Sequence, residues 1–231
     1  MSLSRQELPA IEIINVSKRY GDRYALKSVS LDIDAGECVS LFGSNGAGKT
    51  TLLKILATHA VPSAGKVNIF GEDVFKNNSA IRRKIGLLAH DSYLYDELSV
   101  MENFSFYAQF FTGKREKIQL EPLGFLGLKR WYNVPVKHLS YGLRKRADIG
   151  RALLHDPDII LLDEPFTGLD ITSCDLLARH FAELKENGKT LVLSSHSVEW
   201  IKKICDRTVV LKKGEIRSEN HHGGIDQDVR P

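Results

Sequence analysis

Cysteine is scarce in this chain: Cys38, Cys174 and Cys205 are the only three in 231 residues, an odd number with no metal-ligand spacing. That excludes a disulfide-stapled scaffold and a zinc module, and it fits a reduced compartment. Long apolar runs are missing as well. No stretch approaches the roughly 18–20 apolar residues that cross a bilayer, and the opening MSLSRQELPA has neither the basic nor the apolar region of a signal peptide. The chain is therefore expected to be soluble in itself, with any membrane role supplied through another chain. A strong charge of one sign is also lacking. With 32 basic and 29 acidic residues the net charge is +3, too small to imply a nucleic-acid partner. The short clusters Arg82-Arg83-Lys84 and Arg144-Lys145-Arg146 lack the interleaved aromatics of a base-reading surface and are read as solvated faces. No internal repeat or low-complexity tract interrupts the chain.

What remains is an ordinary globular composition, 42% apolar and 26% charged, long enough for one large domain or two small ones around a real core. Its densest signal is Gly43-Ser44-Asn45-Gly46-Ala47-Gly48-Lys49-Thr50, which fits G-x-x-x-x-G-K-[ST] without a gap. The motif follows the apolar run Cys38–Phe42 and leads into a helical pattern, Thr51–Leu56, the strand, loop and helix order that it requires. Glycines let successive N–H groups turn inward around phosphate oxygens, where a helix N-terminus adds favourable partial charge. Lys49 is placed to reach the β- and γ-phosphates of ATP, and the Thr50 hydroxyl to bind Mg²⁺. A Gly-rich turn before a core helix is the plainer alternative, and the intact spacing and flanks favour nucleotide binding.

Before the loop, Ile11–Val16 and Val29–Ile33 alternate as half-exposed strands do, and predict an antiparallel pair at a sheet edge. Tyr20 lies between them, either a plain turn aromatic or a flat ring able to stack on adenine. After the loop helix, Lys66–Gly71 reads as a strand closing on a turn and Lys84–Ala89 as a buried strand ending at His90. Ser99-Val100-Met101-Glu102 has capping-box spacing, so a helix is expected to start there and run through Phe104, Tyr107, Ala108 and Phe111, an aromatic stripe for core or subunit contact. Residues 114–137 read only as short helices and loops. A β-hairpin is expected around 209–216, followed by a polar tail; His221-His222 in that tail has no convergent metal ligands.

A second chemical centre is Asp158-Ile159-Ile160-Leu161-Leu162-Asp163-Glu164-Pro165. Four apolar residues ending in two carboxylates describe a buried parallel strand whose C-terminal edge presents acids to the ligand crevice. Asp163 is the Mg²⁺ candidate, directly or through water. Glu164 is the candidate to orient or deprotonate an attacking water. A third centre, Leu139-Ser140-Tyr141-Gly142-Leu143, opens a helix carrying Ala147, Ile149, Ala152 and Leu153, where Ser140 by itself would be only an N-cap.

From Tyr20 to about Arg217 the order of six motifs resembles the ATP-binding subunits of ABC transporters, in which an LSGGQ-type signature precedes the Asp-Glu strand. The resemblance implies that Tyr20 stacks on adenine, that Gly43 to Thr51 form the phosphate loop, and that Asp163 and Glu164 are the Mg²⁺-associated acid and the catalytic carboxylate. It further implies that Gly168-Leu169-Asp170 couples two protomers through Asp170, and that His196, after Ser194-Ser195, is a switch histidine contacting the γ-phosphate. Two departures stand out. The signature has Tyr141 where glycine is usual and Leu143 where glutamine is usual, but keeps Ser140 and Gly142. His90 falls where the family places a glutamine, and imidazole suits Mg²⁺ less well than an amide oxygen.

The implied fold is an α/β phosphate-loop NTPase. Its mostly parallel core covers about 10–90 and 156–217, with an antiparallel β edge and a helical lobe over about 91–155; 1–9 and 218–231 are polar termini. The implied mechanism is dimerisation around two ATP molecules, with Ser140 and Gly142 of each chain capping the nucleotide held by the other. The implied partners are a second ATPase subunit and separate transmembrane permease subunits, with the chain cytoplasmic on the inner face of the membrane. The segment Gly86–Leu98 is similar to the haem-exporter ATPases of cytochrome c maturation, which puts haem export modestly ahead of drug, lipid or polysaccharide export. Importers are less expected, since only Ser218–Pro231 remains for a regulatory domain. A non-transport ABC ATPase is the competing class, but the paired units, coiled-coil insertion and zinc cysteines usual there are missing.

Overall fold

The computed structural model describes residues 8–76, 78–112, 121–195 and 198–221. It opens on two long strands, β1 (Ile11–Tyr20) and β2 (Arg23–Ile33), joined by the tight turn at Gly21-Asp22 and paired antiparallel from Ile11↔Ile33 to Tyr20↔Arg23. Strand β3 (Cys38–Phe42) then runs into the glycine loop and helix α1 (Lys49–Leu56). Next come β4 (Ala64–Ile69), the short β5 (Glu72–Asp73), helix α2 (Asn78–Arg82) and β6 (Ile85–Leu88). Strands β4 and β5 complete a four-stranded antiparallel sheet of order β2-β1-β4-β5, in which β2 is one edge.

Helix α3 (Val100–Thr112) begins as its sequence requires: the Glu102 N–H donates to Ser99 Oγ at 3.2 Å, and the Ser99 N–H donates to Glu102 Oε2 at 2.8 Å. Three 3₁₀ turns, Glu121–Leu126, Lys129–Trp131 and Val136–His138, lead to α4 (Tyr141–Leu153). These are the short helices expected within 114–137; residues 114–120 of that segment lie outside the described residues. The aromatic stripe of α3 divides. Phe104 is fully buried, whereas Tyr107 and Phe111 line a cleft of about 480 Å³ between the helical region and the sheet.

The chain then alternates β7 (Ile159–Asp163), α5 (Ile171–Glu186), β8 (Thr190–Ser194), α6 (Val198–Ile204), β9 (Arg207–Lys212) and β10 (Glu215–His221). The second sheet has the order β10-β9-β3-β8-β7-β6 and is parallel except for β10. Strands β3, β7 and β8 are buried at every position, hence their unbroken apolar runs. Alternate residues feed opposite faces. Val39, Leu41, Ile159, Leu161 and Val192 join α1 and the four-stranded sheet in one core, while Ile160, Leu162, Leu191 and Leu193 join α4, α5 and α6 in another. The Arg207 guanidinium binds Glu37 at 2.8 Å and Glu219 at 2.6 Å, and donates to the Asp32 carbonyl, fixing the two sheets to each other. The hairpin expected around 209–216 is present but longer: β10 continues through His221, so residues 218–221 are ladder rather than tail. An edge strand leaves its outer side chains in water, and Ser-Glu-Asn-His gave no apolar alternation to reveal it.

Candidate nucleotide-binding site

The loop after β3 is shaped by glycines. Gly43, Gly46 and Gly48 have φ of +153°, +78° and +114°. A Cβ on Gly48 would sit 2.6 Å from the Ala25 carbonyl oxygen and 2.8 Å from Leu26 Cδ2, so a side chain has neither the conformation nor the room. The Gly214 N–H donates to the Ala47 carbonyl at 2.9 Å and pins the loop to the β9–β10 turn. Gly48 is also the N-cap of α1 and brings no side-chain acceptor to the first helical N–H groups, which suits them to anionic oxygens. Lys49 is 6% exposed and donates from Nζ to the carbonyls of Gly43 at 2.6 Å and Ser44 at 3.3 Å. Burial lowers its pKa, and the carboxylates of Glu164 and Asp163 oppose that shift.

Those carboxylates arrive from β7. Asp163 is 2% exposed, and its Oδ1 accepts from Ser194 Oγ at 2.7 Å. The same hydroxyl oxygen accepts the Glu164 N–H at 2.9 Å, so one serine at the end of β8 positions both acids. Glu164 has φ +50°, an uncommon conformation for this residue type, as the chain leaves the strand. Sequence reasoning named Ser194 only as a neighbour of His196. The available signal was its place on the strand beside β7, where the register pairs Asp163 with Ser194. His196 itself lies outside the described residues.

Loop and carboxylates face one cleft of about 680 Å³, lined by Tyr20, Ala25, residues 45–51, Lys54, His90, Asp91, Asp163, Glu164 and Thr167. Tyr20 is 53% exposed, with Lys18 Nζ 4.9 Å from its ring centroid. Thr50 and Asp163 supply the hard oxygens Mg²⁺ requires, whereas His90 offers only imidazole nitrogen. No group of three or more His, Cys, Asp or Glu residues among the described ones could hold a metal, so an ion here would rely on phosphate and water oxygens as well.

Ser140, Gly142 and Asp170 do not line this cleft. Ser140 caps α4, its Oγ accepting the Leu143 N–H at 3.4 Å. Asp170 caps α5, a role its sequence context did not disclose. It accepts from the Ser173 N–H and hydroxyl, each at 2.8 Å, and these bonds, the backbone one foremost, hold its carboxyl below the usual range. The basic cluster at 144–146 is not the solvated face expected of a short charge run. Arg144 pairs with Asp96, Arg146 with the Ser173 hydroxyl, and Lys145 is buried. Burial lowers the Lys145 pKa, against the attraction of Asp148, Asp163 and Glu164. Arg82 likewise donates to Thr58 Oγ1 at 2.7 Å, and Lys84 lies over the Phe70 ring.

A glycine phosphate loop at the end of a parallel strand, with the acids Asp163 and Glu164 at the end of β7, the next strand but one in the same sheet, defines a phosphate-loop nucleotide-binding protein. A family model described as "ABC transporter" matches residues 26–167. The ABC transporter ATP-binding protein NatA of Bacillus subtilis is 37% identical over 214 residues, 89% of this chain and 87% of that relative. The Nod factor export ATP-binding protein I of Rhizobium etli is 35% identical over 227 residues, 96% of this chain and 72% of that protein. Among solved structures, the dimeric post-hydrolysis state of the ATP-binding cassette MJ0796 bound to ADP and Pi superposes with a TM-score of 0.85 at 32% identity, covering 93% of this chain and all of that one. The chain belongs to the ABC transporter family and is an ATP-binding ATPase of the cassette type. These relatives, named for NatA and Nod factor export, do not support the expected kinship with haem exporters. No helix among the described residues is long and apolar enough to cross a membrane.

Proposed function

We propose that this chain is the energy-supplying subunit of an exporter. On this reading it sits on the cytoplasmic face of the membrane, works as a dimer and drives separate transmembrane permease subunits. Residues 10–217 act as one ATPase domain, with the lobe at about 91–155 turned toward the permease. The observation that carries the reading is the division of the site within one chain. The phosphate loop, Tyr20, Asp163 and Glu164 share a cleft, while Ser140, Gly142 and Asp170 stand apart from it at the starts of α4 and α5. A second copy would bring Ser140 and the Gly142 backbone to the γ-phosphate of an ATP held in that cleft, and Asp170 to the seam between the chains.

Tyr20 stacks on adenine, and the N–H groups of 43–51 hold the phosphates. Lys49 exchanges the Gly43 carbonyl for β- and γ-phosphate oxygens. Mg²⁺, held by Thr50 and, through water, by Asp163, supplies positive charge beside the phosphates when bound. Glu164 orients the attacking water, and Lys49 offsets the charge that develops. His196 contacts the γ-phosphate, and His90 senses the nucleotide through water or touches the permease. Ser140 loses its phosphate contact after hydrolysis, and the dimer opens. A Nod factor export protein among the relatives supports a drug, lipid or polysaccharide type of cargo over haem.

The test is co-purification of tagged Glu164→Gln protein, with ATP, from detergent-solubilised membranes of the native cell. A multispanning permease should accompany it. Recovery with ribosomes or DNA-repair proteins alone would place the chain among the non-transport ATPases, and haem-handling partners would reinstate haem export.

A further inference from the structure

Tyr141 stands where the family's signature has glycine, and no role described so far uses its ring. It is the first residue of α4 and is 58% exposed. Its ring edge covers the Cα of Gly168: a Cβ built there would lie 2.8 Å from Tyr141 Cδ1, 3.2 Å from Cζ and closer still to Cε1. Gly168 has φ +76°, so any other residue would be strained and would collide with the ring. The contact continues along both segments. A Cβ on Gly142 would touch Leu169 Cδ2 at 3.4 Å, and one turn further Arg146 donates to the Ser173 hydroxyl, which donates to Asp170 at 2.8 Å. Tyr141 also lines a small pocket with His90, Asp91 and Lys145.

We propose that Tyr141 is a positioning residue that locks the Gly168–Asp170 loop onto the start of α4 within one chain, so that Ser140 and Asp170 meet the partner protomer as a single rigid edge. The proposal rests on the dimer reading above. A glycine at 141 would remove the ring from the contact between the loop and the start of α4, leaving there the packing of Leu169 on Gly142 and the bond from Arg146 to Ser173. Because the ring is more than half exposed, its removal exposes little new apolar surface and leaves folding nearly intact. The consequence falls on turnover, since the nucleotide cleft of the same chain is built from other residues.

The experiment compares Tyr141→Ala, Tyr141→Phe and Gly168→Ala in the full chain, by steady-state ATPase kinetics and thermal unfolding. Tyr141→Ala should lower kcat about tenfold while KM for ATP stays within about twofold, with the unfolding midpoint moved by less than about 3 °C. Tyr141→Phe should retain near-native kcat. Gly168→Ala should cost less in the Tyr141→Ala background than alone, because the collision with the ring is gone while the backbone strain at φ +76° remains. Native kcat in Tyr141→Ala, equal loss in Tyr141→Phe, or additive losses in the double variant would overturn the proposal. Light scattering of Glu164→Gln with ATP separates the two readings: a monomer removes both, whereas a dimer together with any of those three outcomes removes only the role of Tyr141.

Discussion

Two helix starts in this molecule are built in opposite ways. At α1 the N-cap is Gly48, which brings no side chain, and the preceding loop is a contiguous run of backbone fixed by glycine conformations. At α4 the N-cap is Ser140, and the turn is held by residues distant in sequence: Tyr141 against Gly168, Arg144 to Asp96 and Arg146 to Ser173. The first start is written in one contiguous run and is therefore readable as a motif, although Gly214 also pins it from the β9–β10 turn. The second depends on contacts between segments, so it can shift as a unit when those contacts change.

The sharpest way to break the site built on the contiguous motif is Lys49→Ala. It removes the buried cation that the loop carbonyls and the cleft share, and ATPase kcat/KM should fall by at least about 100-fold in a phosphate-release assay. Global stability should change far less. The helical region should respond in the reverse sense to Arg151→Ala. Arg151 pairs with buried Asp148 at 2.6 Å, donates to the Leu87 carbonyl at 2.6 Å and lies over the rings of Tyr93 and Tyr107, joining α4 to β6. Its loss leaves Asp148 buried without its partner, and urea unfolding should show a cost of about 3–5 kcal/mol.

A pH dependence belongs to the same junction. His155 stacks on Phe111 with ring centroids 3.7 Å apart and shares a hydrogen bond with the Ile85 carbonyl. Burial pulls its pKa down from 6.5 to about 4. Between those values the unfolded chain takes up a proton that the folded chain refuses, so stability falls as pH drops from about 6.5 to about 4. The loss from this group is on the order of 2 to 3 kcal/mol. Urea midpoints for His155→Gln should be flatter across that window than for the native chain. Some slope should remain, because burial also lowers the pKa of His59 and His180. The smallest effect is local to α3: Ser99→Ala removes the acceptor for the Glu102 N–H and should cost about 1 kcal/mol.

What the sequence revealed follows the same division. The phosphate loop, the capping box at Ser99 and the strands β3, β7 and β8 were legible because each is written in adjacent residues or in an unbroken apolar run. Ser194 was not, because its hold on Asp163 and Glu164 exists only once β7 and β8 pair in register. Lys145 looked like part of a solvated charge run; its burial follows from the docking of α4 near the carboxylates of β7. The length of β10 was hidden because a polar edge strand is defined by ladder bonds rather than by side-chain pattern. Asp170 was expected at a protomer seam, and its capping of α5 adds a second task that one chain can perform alone.

The central claim is that one chain holds two incomplete half-sites. Light scattering of purified Glu164→Gln protein tests it most directly, first without nucleotide and then with ATP and Mg²⁺. The expected result is the single-chain mass without nucleotide and twice that mass with it, reversed by Ser140→Arg, together with a fall in turnover of at least about 100-fold. A monomer at saturating ATP, or undiminished turnover, would contradict the account.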